Sequence, residues 1–193
     1  MARTKDFDQD EVLKKAMNLF WDKGYNGVSM QDLVDGLGIS RSSLYDTYTD
    51  KHTLYVKSLE YYKKTAGAGM LAALEGSPPA KEAIRRLLDY FVNQLTKDSD
   101  HKGCFLVNST VELASHDQEI SKMLCESDRE TEILLHDVIE KGQKHGEIDN
   151  SRDADSLARF IFNNIKGMRV TARAGVDKKT LDDIVVLTLS ILD

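Results

Sequence analysis

The sequence predicts an all-α protein of about nine helices: an N-terminal three-helix helix-turn-helix unit (residues 1–51) followed by a larger helical body (52–193). Three observations carry this. Apolar residues recur at three- and four-residue spacing through nearly every segment, and none shows the alternation of a half-buried strand. Only two prolines occur in 193 residues, so few helices are interrupted. The remaining breaks are helix punctuation: Asp8, Ser29, Ser40 and Asp50 precede periodic segments, and Gly24, Gly38, Gly76 and Gly146 follow them.

The first helix spans Asp8 to about Lys23, with Val12, Ala16, Leu19 and Phe20 on one face and Gly24 closing it. The second opens at Ser29 and turns Met30, Leu33, Val34 and Leu37 inward. Asp32 suits the positive end of that helix, although a capping box prefers Glu or Gln there. Gly38 then reverses the chain, Ile39 drops inward and Ser40 caps a short third helix to Thr47. Leu44 and Tyr48 share its inner face, which leaves Arg41, Ser42 and the outer edges of Tyr45 and Thr47 facing out.

From Asp50 a long pattern runs through Tyr55, Leu59 and Tyr62 towards Leu74, and Gly76 and Pro79 mark the clearest break. Ala80 to Lys97 is amphipathic, with Ile84, Leu87, Leu88, Phe91, Val92 and Leu95 on its buried side. Residues 102–115 form a short helix with few charges. Gln118 to His145 is long, its buried face assigned to Met123, Leu124, Ile133, Leu134 and Ile139. Asp155 to Ala174 and Thr180 to Leu192 complete the count.

Composition narrows the function. Apolar residues make up 41% and charged residues 30%, an ordinary globular balance. No apolar run approaches the roughly 20 residues of a membrane span, and the first residues lack the apolar core of a secretion signal, so the expected compartment is the cytoplasm. Cys104 and Cys125 are too few and too far apart for a disulfide framework or zinc site, and the five histidines lack metal-ligand spacing. Neither a metal nor a cofactor is expected. The chain is net acidic at −6, and its first 51 residues hold seven cations against nine acids. Binding to nucleic acid must therefore rest on a few placed cations rather than on bulk basicity.

The stretch from Ala16 to Tyr55 resembles the DNA-binding domain of TetR-type transcriptional regulators. The likeness lies in Gly24-Tyr25 after the first helix, Ser29 opening the second and Gly38-Ile39-Ser40 at the turn. Leu44-Tyr45 in the third helix and the Tyr48 to Lys51 finish complete it. Gly36, Ser42-Ser43 and Thr47 depart from that pattern and bear on local stability and operator preference. The resemblance implies a homodimer that binds double-stranded operator DNA, usually as a repressor, and is released by a small-molecule effector. Arg41 suits guanine O6 and N7 or a phosphate. Ser42, Ser43, Tyr45, Thr47 and Tyr48 offer hydroxyls to base edges or backbone, Lys51 a charge for phosphate, and Ser29 with the amides opening its helix another phosphate site. Thr4 and Lys5 suit an N-terminal arm.

For the body, the resemblance implies dimerisation through the last two helices and an enclosed effector pocket. Phe160, Ile161, Ile165 and Met168 are the expected dimer contacts, and Tyr90, Phe91, Phe105, Asn108 and Phe162 the expected pocket lining. The "GCFLVN" stretch is similar to a motif of a subgroup in which a cysteine senses electrophiles or oxidants. Cys104, near His101 and Lys102, is thus either a sensing thiol or a small buried apolar residue. An enzyme is disfavoured, because no phosphate loop, metal cluster or nucleophile–base arrangement is present and the Glu112–His116 pair at i, i+4 is commonplace. A module that docks protein rather than DNA is the remaining alternative.

Overall fold

The computed structural model describes residues 7–74, 76 and 78–193. Thr4 and Lys5 lie outside these residues. Those described form nine helices and no strand: α1 (Gln9–Lys23), α2 (Met30–Leu37), α3 (Arg41–Tyr48), α4 (Lys51–Ala73), α5 (Ala80–Lys97), α6 (Phe105–Leu113), α7 (Gln118–Lys144), α8 (Ala154–Arg173) and α9 (Lys178–Ser190).

The helix starts follow from cap chemistry. Asp8, Ser29, Ser40, Asp50, Asp117, Asp153 and Asp177 each hold extended backbone and accept a hydrogen bond from an amide of the first turn. At α2 the aspartate departs from expectation. Asp32 completes a full capping box, accepting from the Ser29 amide at 2.8 Å while Ser29 Oγ accepts from the Asp32 amide at 3.1 Å. The shorter side chain suffices because the two residues lie close together at this helix start. Gly38 closes α2 at φ 69° and ψ 25°, a conformation that costs other residues about 1 kcal/mol or more.

Two apolar cores result. The first joins α1–α3 to the start of α4, to Phe105 and Leu113 of α6, and to Ile120 and Leu124 at the start of α7. The second is built from α5, the later part of α7, α8 and α9, with Leu87, Leu135, Ile139, Ile161 and Ile165 among its members. The first core thus continues well past residue 51. In α7 Leu124 and Ile139 are buried as expected, and the difference is confined to the middle of the helix. Leu135 is buried where Leu134 was expected, and Ile133 is exposed. Ile133, Leu134 and Leu135 are consecutive, so the 3.6-residue period alone does not decide which of them faces inward.

Gly36 is an exposed interior residue of α2 whose added Cβ would meet only Leu19 Cδ2, at 3.4 Å. Gly36→Ala is expected to stabilise the fold by about 0.5–1 kcal/mol, read as a rise in thermal midpoint.

Candidate nucleic-acid interface

The surface in question is the outer face of α3, held against α2 by the shared side chains Leu33, Leu37 and Leu44. Ser40 Oγ is a hub at its start. It accepts from the Ser43 amide at 3.1 Å and donates to Ser43 Oγ at 2.9 Å, leaving the Ser42 hydroxyl to donate into it at 2.9 Å. Ser43 is half-buried and tied into the cap, whereas Ser42 is exposed. Arg41 is exposed at the first helical position, with Nη2 3.4 Å from Gln31 Oε1 of α2. Gln31 escaped the sequence reading. It braces the arginine at long range and leaves most of the guanidinium's five donors available. Tyr45 is 43% exposed and Thr47 half-buried at the edge of the same face.

Two expected phosphate contacts are corrected. Tyr48 is only 2% exposed, and its hydroxyl is sealed from solvent with no hydrogen-bond partner among the described residues. It packs the inner face of α3, so its hydroxyl is closed off from a phosphate at the outer face. Burial and, secondarily, the Asp10 charge raise its pKa above the ordinary phenol value. Ser29 has its amide and hydroxyl committed to Asp32, whose carboxyl is held down to about 2, chiefly by the hydrogen bond from the Ser29 side chain. A carboxylate already occupies the place proposed for a phosphate.

Lys51 opens α4, a helix with no acid in its first turn. The Asp50 carboxylate caps that end, accepting from the Thr53 amide at 2.7 Å, and offsets the cation that Lys51 places at the positive end of the dipole. Its ammonium lies 4.3 Å from the centre of the Tyr25 ring, and burial lowers its pKa while Glu112 and Asp32 oppose that shift. Between α3 and α4, Thr49 takes φ 63° and ψ −54°, a region that β-branched residues rarely enter and that costs of order 1–3 kcal/mol.

The three-helix head and the start of α4 are anchored to the rest of the body by polar contacts. Glu112 of α6 accepts from the Tyr25 amide at 3.0 Å, and its other oxygen accepts from the Asn26 amide at 2.8 Å and from Asn26 Nδ2 at 3.0 Å. Trp21 Nε1 donates to the Lys102 carbonyl at 3.2 Å. Ser109 Oγ donates to the Phe105 carbonyl, so Tyr55 must donate the 2.7 Å bond to Ser109. His52 Nε2 lies 2.7 Å from Asp117, the cap of α7. Sequence spacing had paired Glu112 with His116. A lone acid in a helix of low charge was the available signal.

Comparison with known proteins agrees with this geometry. The family described as "Bacterial regulatory proteins, tetR family" matches residues 12–57, and "Tetracyclin repressor-like, C-terminal domain" matches residues 80–186. The chain belongs to the TetR family of transcriptional regulators. It is 34% identical to the uncharacterized HTH-type transcriptional regulator YezE of Bacillus subtilis (strain 168), covering 100% of both chains. It is 33% identical to the HTH-type transcriptional repressor ComR of Escherichia coli (strain K12), covering 97% of this chain and 90% of that one. Among solved structures, a cysteine mutant of the TetR family regulator CifR, complexed with 26-bp double-strand operator DNA, superposes with a TM-score of 0.86. It shares 28% identity and covers 99% of this chain and 100% of that one.

The expected TetR-type pocket residues do not converge on one chamber. Phe105 belongs to the core shared with the head, while Phe91 and Phe162 are packed in the second core. Asn108 Nδ2 donates to the Lys102 carbonyl at 2.8 Å, and half-buried Tyr90 stacks edge-on against Phe91. The cavities described lie elsewhere. One of about 380 Å³ is bounded by Gln9, Leu13, Thr47, Tyr48, Lys57, Glu60, Tyr61 and Lys64, and one of about 140 Å³ sits near Leu74 and Val138.

Cys104 is buried, and its sulfur accepts a 3.6 Å bond from the Tyr62 hydroxyl. Neither His101 nor Lys102 pairs with it among the described residues. A helix terminus does adjoin the thiol, since Cys104 is the N-cap residue of α6, but its burial and the Tyr62 bond suit a packed residue rather than a sensing thiol. Cys125 is exposed. On α8, the expected dimer contacts Ile161, Ile165 and Met168 are fully buried within the subunit, and only Phe160 faces out, at 49% exposure. The helix carries two apolar stripes, and three of the four residues belong to the inner one. No group of acidic, histidine or cysteine residues suited to a metal occurs among the described residues, and none of their helices is long and apolar enough to cross a membrane.

A buried hydroxyl without a partner costs about 1–3 kcal/mol. Tyr48→Phe is therefore expected to leave the thermal midpoint unchanged or to raise it, whereas loss of a structural hydrogen bond would lower it.

Proposed function

We propose that this TetR-family regulator is a cytoplasmic, homodimeric repressor that binds a palindromic operator through α3 and is released by a small-molecule effector bound to its body. Residues 1–51 read DNA, and residues 52–193 dimerise and sense. The observation that carries this is the outer face of α3. It presents Arg41, Ser42, Tyr45 and Thr47 on a capped helix with no acid in its first turn, and Lys51 stands at the next helix start. Arg41 reads a guanine edge in the major groove. Ser42 permits close approach, and Tyr45, Thr47 and Lys51 hold the flanking backbone. The named repressor among the relatives and the operator-bound CifR structure support the same assignment.

The dimer surface is the outer stripe of α8 together with that of α9. Phe160 and Val170 are exposed on α8, and an added Cβ at Gly167 between them would meet nothing within 4 Å. On α9, Val186 and Leu187 are exposed, the latter by 70%. Phe160, Gly167 and Val170 follow helical spacing along α8, and the adjacent Val186 and Leu187 widen the apolar face on α9, a surface that lets two copies approach closely. Pairing there sets the two α3 helices about 34–36 Å apart, one turn of DNA. An effector that prefers another spacing lowers operator affinity by its differential affinity for the two states.

Arg41→Ala is expected to cost about 1–3 kcal/mol of operator affinity, measured by fluorescence anisotropy on duplexes from the chain's own upstream region. Equal binding of both proteins to every duplex would refute the reading of α3. Leu187→Asp is expected to convert the dimer to a folded monomer in sedimentation velocity, with helical content retained. An unchanged dimer would move the interface elsewhere.

A further inference from the structure

We propose that the groove between α1, the end of α3 and α4 is a second ligand site, which binds small carboxylates carrying a compact apolar body. It shares Thr47 with the edge of the outer face of α3, and only its coupling to operator rests on the repressor reading.

Size and chemistry both point there. At about 380 Å³ this is the larger of the two described cavities, and it lies within the roughly 300–1,000 Å³ typical of small-molecule pockets. Leu13 and Tyr61 supply apolar wall. Lys57 and Lys64 stand seven residues apart on α4, so they share a face about 10.5 Å apart along the axis. Glu60 lies between them, four residues before Lys64, an arrangement that favours closure of an ion pair. Elsewhere such pairs do close: Glu11 with Lys15 and Glu140 with Lys144. At the groove neither lysine is paired with a carboxylate among the described residues. Two cations against the single acid Glu60 leave the lining net positive beside an apolar wall, which matches an anionic head joined to an apolar body.

Tyr48 adds the third element. It lines the same cavity, and its hydroxyl is a donor that the fold leaves without an acceptor. Burial and Asp10 both favour the protonated phenol, so the group is present as a donor at neutral pH. A carboxylate seated between the lysines supplies the missing acceptor. The phenol oxygen lies behind the groove surface, so a ligand reaches it only as the end of α3 yields. That end is already strained at Thr49, directly before α4. Occupancy of the groove is thereby linked to the placement of the recognition helix, and operator and anion must alter each other's affinity by the same factor.

The test uses the full-length protein with labelled leucine and threonine methyls, titrated with phenylbutyrate and octanoate, and with phenylbutyramide as the uncharged counterpart. Saturable shifts at Leu13 and Thr47 with the carboxylates and not the amide are expected. Lys57→Gln with Lys64→Gln should weaken binding about tenfold, the scale of two partly exposed ion pairs. Tyr48→Phe should weaken it about fivefold, the scale of one hydrogen bond, with no fall in thermal midpoint. A purely structural role for Tyr48 would not produce that split. Absence of shifts at Leu13 and Thr47, equal binding of the amide, or unchanged affinity in the double variant would each overturn the proposal. Shifts confined to methyls of the body, such as Leu106, would overturn it too, while leaving the repressor reading standing.

Discussion

The Glu112 carboxylate, closed on the two backbone amides that follow α1, is the contact on which the placement of the DNA-reading face depends. Hydrogen bonds to a charged group contribute about 1.5–3 kcal/mol each, more than typical neutral ones. These bonds grip main chain rather than a flexible side chain, so they fix where the α1–α2 turn sits relative to α6. Gly24 shows how tight the grip is. An added Cβ there would lie 2.8 Å from Glu112 Oε2, and its φ of 74° already excludes most side chains. With the turn held, α2 and α3 follow through Leu33, Leu37 and Leu44.

Around that clamp the aromatic side chains form a continuous wall. Tyr55 meets Phe20 at 4.9 Å, Tyr25 at 5.0 Å and Phe105 at 5.4 Å between ring centres, and Trp21 meets Tyr62 at 5.0 Å. Edge-to-face pairs of this kind add about 0.5–1.5 kcal/mol each beyond burial, and they are directional. A shift of α6 cannot be absorbed by one soft contact, because Phe105, Ser109, Glu112 and Leu113 all engage the head or the start of α4 from the same helix. Closely packed interfaces of this type switch between discrete arrangements rather than deform smoothly. That gives the body a physical route by which an effector can move α3.

Much of the architecture was legible because its signals are local. Caps at Asp8, Ser29, Ser40 and Asp50, and closures at Gly24 and Gly38, are decided within four residues of chain. The outward face of α3 followed from the inward pairing of Leu44 and Tyr48. What stayed hidden needed long-range information. Glu112 acts on residues 86 and 87 positions away, and Gln31 meets Arg41 across the turn. The inward Tyr48 was identified by its spacing, yet its hydroxyl suggested a phosphate contact, because a sequence does not show how deep a phenol oxygen lies. In α8 the two apolar stripes could not be separated without knowing which neighbour each one faces, so Ile161, Ile165 and Met168 were assigned to the wrong side.

The continuity of the first apolar core bears on how such proteins can be recombined. Swapping residues 1–51 onto a foreign scaffold would strip Phe20, Val28 and Leu33 of Leu54, Tyr55, Phe105 and Ile120, all of which lie beyond the cut. A working graft would have to carry the opening turns of α4, the whole of α6 and the first two turns of α7, three segments scattered along the polypeptide. Specificity in this chain is therefore more readily exchanged by repainting the exposed positions of one short helix than by trading modules.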